Sequence, residues 1–162
     1  DLEGWTSYGD ADWRVEDGMI VSTEGDGWLV TDEEFDRFWF HAYADSDTLQ
    51  SRSGAFYYRF ESPENPGYRA DLYDYPDAVK YTAQYGEDIP ADVIRPMKSG
   101  WFLYRIASGD RQSLYYFNEH QVSINNLLGR DPRGRIAIRR TGSDGLLRIR
   151  EILVRELPGP GI

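Results

Sequence analysis

The residues best suited to chemistry are arginines, tyrosines and one aspartate, set at period two in three apolar runs. In a strand, residues two apart share a face. The run SGAFYYRF (53–60) sets Tyr57 and Arg59 opposite Phe56, Tyr58 and Phe60; GYRADLYD (67–74) sets Arg69, Asp71 and Tyr73 opposite Tyr68, Ala70 and Leu72; GRIAIR (134–139) sets Arg139 opposite Ile136 and Ile138. The apolar sets belong in a core. Tyr57, Arg59, Arg69, Asp71, Tyr73 and Arg139 are therefore expected together on an outer, concave face, with Arg52 at its rim. A guanidinium grips a carboxylate or sulfate through a fixed fork, and tyrosine rings stack on the C–H face of a sugar. Together they suit an acidic or oxidised saccharide ligand. The competing expectation is ordinary cross-strand ion pairing of Arg59 and Arg69 with Asp71, Asp74 and Glu61.

Catalysis at such a face needs a positioned acid or base, and Asp71 is the best single candidate. A glycosidase of the usual kind needs two carboxyls about 5 to 10 Å apart. Asp74 lies three residues on and takes the opposite face, while Asp88 could complete a pair from a loop. The acidic run Glu33-Glu34-Phe35-Asp36 reads as a solvated turn. His41 alternates with aromatics and His120 falls in a hairpin turn, so neither marks a metal centre by spacing. No metal ligands are assigned and no cofactor is expected, although Asp10-Ala11-Asp12 and Asp45-Ser46-Asp47 could hold a structural calcium or serve as polar loops. Nucleophile-elbow, phosphate-loop and dinucleotide signatures do not occur.

The elements that must carry these residues read as strands. Asp17-Gly18 makes a tight hairpin turn between Trp13–Glu16 and Met19–Val21. Further strands are expected at 28–30, 36–44, 55–60, 68–73, 101–107, 112–117, 121–124, 135–140 and 146–157. Asp45–Ser53 and 87–98 read as loops, the latter with one helical turn at 91–94. The chain of 162 residues holds 12 Tyr, 7 Phe and 5 Trp with 16 Gly and 8 Pro, a composition of short strands and many turns. The expectation is an all-β antiparallel β-sandwich, one domain over 1–157, with the Pro-Gly tail 158–162 as a linker. A net charge of −10 excludes general nucleic-acid binding. No apolar run is long enough for a membrane span. The absence of cysteine excludes disulfides and thiolate metal sites. The oligomeric state cannot be read from these features.

The order and spacing of WRVEDGMIV, GWLVTDEEFDRFWF, SGAFYYRF, GYRADLYD, GWFLYRIASGD, GRIAIR and IREILVREL resemble the 3-keto-disaccharide hydrolase-like family from about Trp5 to Leu157. The resemblance implies a concanavalin-like jelly roll. It also implies a secreted or periplasmic bacterial protein that acts on glycosides oxidised at carbon 3, or else a non-catalytic carbohydrate-binding module of a larger exported protein. Arg59, Gly67, Tyr68, Asp74, Tyr85, Trp101 and Asn118 match the family pattern. Arg69 and Asp71 stand where the family has Glu and Gln, Arg52 stands where it has Asn, and Ile138-Arg139-Arg140-Thr141 stands where the family ends in Leu-Gln with a His soon after. The resemblance thus implies a kept scaffold with altered groove positions.

Overall fold

The computed structural model describes residues 1–72, 100–126, 133–142 and 145–157, with Asp71 and residues 122–126 described by backbone alone. The aromatic and β-branched alternation forms twelve strands among these residues: β1 (Trp5–Gly9), β2 (Arg14–Glu16), β3 (Met19–Ser22), β4 (Gly27–Thr31), β5 (Phe38–Asp45), β6 (Gly54–Phe60), β7 (Tyr68–Asp71), β8 (Trp101–Ser108), β9 (Gln112–Phe117), β10 (His120–Asn126), β11 (Arg135–Arg140) and β12 (Leu147–Glu156). Two sheets result, a five-stranded one in the order β1-β4-β11-β6-β7 and a seven-stranded one in the order β10-β9-β8-β5-β12-β3-β2. Every pairing is antiparallel. The expected antiparallel β-sandwich is what the chain forms.

Period two decides what lies between the sheets. Phe38, Phe40, Ala42 and Ala44 of β5 meet Phe56 and Tyr58 of β6, Ile136 and Ile138 of β11, and Phe102, Tyr104 and Ile106 of β8 in one buried cluster. Phe40 and Phe56 meet edge to face at 4.8 Å across the sheets, a favoured aromatic geometry. The two-residue turns are as read: Asp17 and Gly18, then Asn118 and Glu119, all take positive φ, as the right-handed twist of a hairpin favours.

Residues 45–53 depart from the loop expectation. Ser46–Ser51 form a short helix, α1. Asp45 caps it, its Oδ1 accepting from Thr48 N at 2.9 Å and from Thr48 Oγ1 at 2.6 Å. Arg52 closes the helix in the left-handed region at φ 54°. That cap turns the chain directly into β6 and sets Arg52 beside the five-stranded sheet. The tail 158–162 and the helical turn expected at 91–94 lie outside the described residues.

Candidate functional site

Strand pairing assembles the outer face of the five-stranded sheet row by row. One row runs Trp28, Arg139, Ala55 and Asp71; the next runs Val30, Ala137, Tyr57 and Arg69. Directly opposed residues hold their Cβ atoms about 5 Å apart, so Tyr57 and Arg69 are neighbours. Arg52, Tyr57, Arg69 and Arg139 line one pocket of about 360 Å³, with Ser53, Gly54 and Thr141. Three of the residues expected from the strand alternation, Tyr57, Arg69 and Arg139, therefore come together with Arg52, expected at the rim. Asp71 holds the register position across from Ala55. Its side chain, and all of Tyr73, lie outside the described residues.

Arg139 is held in place by its own neighbours. Its guanidinium lies over the Trp28 ring at 4.6 Å and its Nη2 pairs with Asp26 Oδ1 at 2.6 Å. Trp28 also meets Tyr57 edge to face at 4.8 Å. Trp28, Val30, Phe60 and Ala137 form a second, smaller apolar cluster with Tyr57 packed on it. Trp28 is not among the residues singled out from the sequence, although a strand is expected at 28–30. What the sequence lacks is the lateral order that sets β4 beside β11.

Arg59 does not join this face, and the expectation that it lines the groove is corrected. Arg135 pairs with Phe60 and Ala137 with Tyr57, so Tyr58 and Arg59 together oppose Ile136. This is a bulge, and Arg59 takes φ 55° within it. The extra residue flips the parity. Phe60 turns to the Trp28 side, where the rings sit at 5.2 Å. Arg59 turns inward, 6% exposed, and its Nη2 donates to Ser108 Oγ at 3.3 Å and to the Gly109 carbonyl. Burial pushes its guanidinium below the ordinary arginine value, against the pull of Tyr68, Tyr58, Asp36 and Asp110. Glycine at 134 fits the same bulge, since a Cβ there would come within 2.5 Å of the Arg59 Cα. Arg59 thus ties the two sheets together.

A second cavity, about 650 Å³, lies toward the other end of β6 and β11, lined by Glu34, Arg59, Phe60, Glu61, Arg133 and Arg135 among others. Glu34 stands in the exposed turn read from the sequence and lies 3.6 Å from Arg133 Nε. His41 meets the Tyr43 ring at 5.2 Å within β5. His120 opens strand β10 and is half-buried, not exposed in the turn.

The aspartates considered for calcium are taken up by protein donors. Asp10 Oδ1 accepts from Asp26 N. Asp45 caps α1 and pairs with Arg148, which also reaches Asp47. Asp12 accepts from Ser22 Oγ, Thr23 N, Thr23 Oγ1, Glu24 N and Arg14 Nη1. Among the described residues no cluster of three His, Cys, Asp or Glu is arranged for a metal. Burial works against the Asp12 carboxylate, but the hydrogen bonds from Glu24, Thr23 and Ser22 outweigh it and hold its pKa far below the usual range. A folded-state pKa below the unfolded value gives stability that is fully present above about pH 4 and is lost as pH falls further. Asp12→Ala should therefore cost about 1–2 kcal/mol at pH 7. Urea unfolding should show the gap from the native protein narrowing below about pH 4. A gap that does not change with pH would refute this account.

The comparisons agree with this architecture. A candidate glycosyl hydrolase from Parabacteroides distasonis superposes with a TM-score of 0.69 at 14% identity, over 96% of this chain and 95% of that one. Carbohydrate-binding module CBM66 from Bacillus subtilis superposes at 0.63 with 13% identity, over 94% and 96%. The exoplasmic/lumenal domain of VIP36, bound to Ca2+ and Man3GlcNAc, superposes at 0.60 with 10% identity, over 100% and 87%. These likenesses show the concanavalin-like jelly-roll fold expected from the sequence. No curated protein sequence matches the chain. A family model described as the 3-keto-alpha-glucoside-1,2-lyase-like domain matches residues 1–155. This is the family that the strand phrases resemble, and the chain belongs to it.

Proposed function

We propose that this chain binds an acidic or oxidised saccharide on the outer face of the five-stranded sheet, in the pocket of Arg52, Tyr57, Arg69 and Arg139. One observation carries the reading: three arginines and a tyrosine line a single pocket of about 360 Å³ on a chain whose net charge is −10. The volume suits a small ligand. The forked guanidinium of Arg139 is already oriented by Trp28 and Asp26, so little ordering is needed on binding. Calorimetry with trigalacturonic acid and with neutral maltotriose tests it. Binding of the anionic sugar, with the neutral one at least ten-fold weaker, supports the reading. Equal binding, or none, overturns it.

A second reading is elimination on a 3-keto glycoside. Family membership and the register position of Asp71 beside the pocket favour it. A ketone at carbon 3 acidifies the proton at carbon 2. Asp71 takes that proton, the electron pair forms the enolate, and the enolate expels the carbon 1 substituent to leave a 1,2 double bond; the departing oxygen picks up a proton. Arg69 and Arg139 stabilise the enolate charge. Incubation with 3-keto-trehalose, followed by NMR, tests this step. If trigalacturonic acid binds and 3-keto-trehalose is untouched, the chain is a binding module and only the elimination fails. An exported location goes with either reading through the family. Among the described residues no helix is long and apolar enough to cross a membrane.

A further inference from the structure

The opposite face of the sandwich carries a surface that the first site does not use. On the outer side of the seven-stranded sheet, Arg155 pairs with Trp39 and Leu153 with His41, while His41 pairs with Arg105 and Arg105 with Tyr116. A bulge in β12 between Arg150 and Leu153, with Glu151 at φ 53°, sets this register. Trp39 stays 38% exposed in the interior of the sheet and Leu153 62% exposed. Trp39 and Tyr116 are 6.0 Å apart and tilted by 32°, which makes a shallow platform of two rings. Burial of so large an aromatic is the norm, so exposed Trp39 beside half-buried Tyr116 in mid-sheet points outward to a ligand.

The charges beside the rings select the occupant. Arg105 is held by Glu119 at 2.8 Å. Arg150 rests over the Trp101 ring at 4.2 Å, and neither it nor exposed Arg155 makes an ion pair among the described residues. A second copy docked here about a two-fold axis would bring two faces of the same positive sign together. The net charge of −10 works against nucleic acid. A sugar polymer with carboxylates offers what remains: C–H faces for the rings, hydroxyls for His41 and Arg105, and anions for Arg155 and Arg150.

We infer that Trp39 and Tyr116, with Arg155 beside Trp39 and Arg150 farther along the same face, form a second saccharide-binding surface that takes an acidic polysaccharide, on the face opposite the Arg139 pocket. Two such surfaces on opposite faces let one chain hold two polymer segments and bind a polymer more tightly than a short oligomer.

The test is electrophoresis through gels containing polygalacturonate, with the Arg69→Ala/Arg139→Ala double variant as the starting protein. That variant should still be retarded. Adding Trp39→Ala should weaken the retardation about ten-fold, and Trp39→Phe should restore most of it with an unchanged melting temperature. Tyr116→Ala should act like Trp39→Ala and guards against a folding defect in any one variant. Free migration of the double variant overturns the proposal. So does retardation indifferent to Trp39. A Trp39-dependent dimer in ultracentrifugation would assign the face to a second copy, and Trp39-dependent retardation by single-stranded DNA would assign it to nucleic acid; either overturns it too. Because the starting protein already lacks the first site, failure of the Arg139 pocket leaves this outcome readable.

Discussion

Arg139→Ala is expected to weaken trigalacturonic acid binding about a hundred-fold while costing only about 1 kcal/mol of stability. The two numbers separate because the side chain has two roles. Its ion pair with Asp26 is mostly wet, since the Asp26 side chain is 54% exposed, and such pairs contribute little. Its stacking on Trp28 adds about 1 kcal/mol at most at a partly exposed site. Toward a carboxylate ligand the same guanidinium supplies charge-assisted, forked hydrogen bonds, about 3 kcal/mol together. Lysine keeps the charge and loses the fork and the flat stacking, so Arg139→Lys should recover about ten-fold of the hundred. Calorimetry and urea unfolding on the same protein samples separate binding from folding. Unchanged affinity in Arg139→Ala would remove the pocket from consideration.

The parts of this site that could be read from sequence are those fixed by local alternation. Tyr57, Arg69 and Arg139 follow a period of two within their own strands, and that period is a property of the backbone. Arg59 obeys the same pattern on paper yet points the other way, because one bulge residue reverses every parity beyond it. Nothing in SGAFYYRF announces the bulge; its cause lies across the strand pair, where Gly134 lets the backbones approach. Trp28 shows a different gap. Its strand was readable, but its place under Arg139 depends on which strands are neighbours, and lateral order is set by the whole chain. Helix α1 has a readable signal in the Asp45-x-x-Thr48 cap, but the polar composition of 45–53 reads as a loop. The exposed Trp39 pattern was equally hidden, since alternation alone says which residues share a face and not which face stays open.

Arg140 stands next to Arg139 and has the opposite fate, which gives the largest stability prediction. It shares the core side of β11 with Ile136 and Ile138, and it is fully buried. Its Nε donates to the Gly25 carbonyl at 3.1 Å and its Nη1 to the Ser22 carbonyl at 3.3 Å. Ser22 closes β3 of the seven-stranded sheet and Gly25 leads into β4 of the five-stranded one. One side chain therefore satisfies carbonyls where the chain crosses between layers. Arg140→Ala leaves a cavity and strips those acceptors of their donor, so a loss of about 3–5 kcal/mol is expected. Arg140→Met refills much of the volume but donates nothing, and should recover about half of that loss. Urea unfolding of both variants measures the split. If the methionine variant is no better than alanine, the carbonyls dominate; if the alanine variant loses under about 1 kcal/mol, water has replaced the guanidinium and the cross-layer tie is not structural. Either result can be read apart from the pocket, because Arg139 and Arg140 point to opposite sides of one strand.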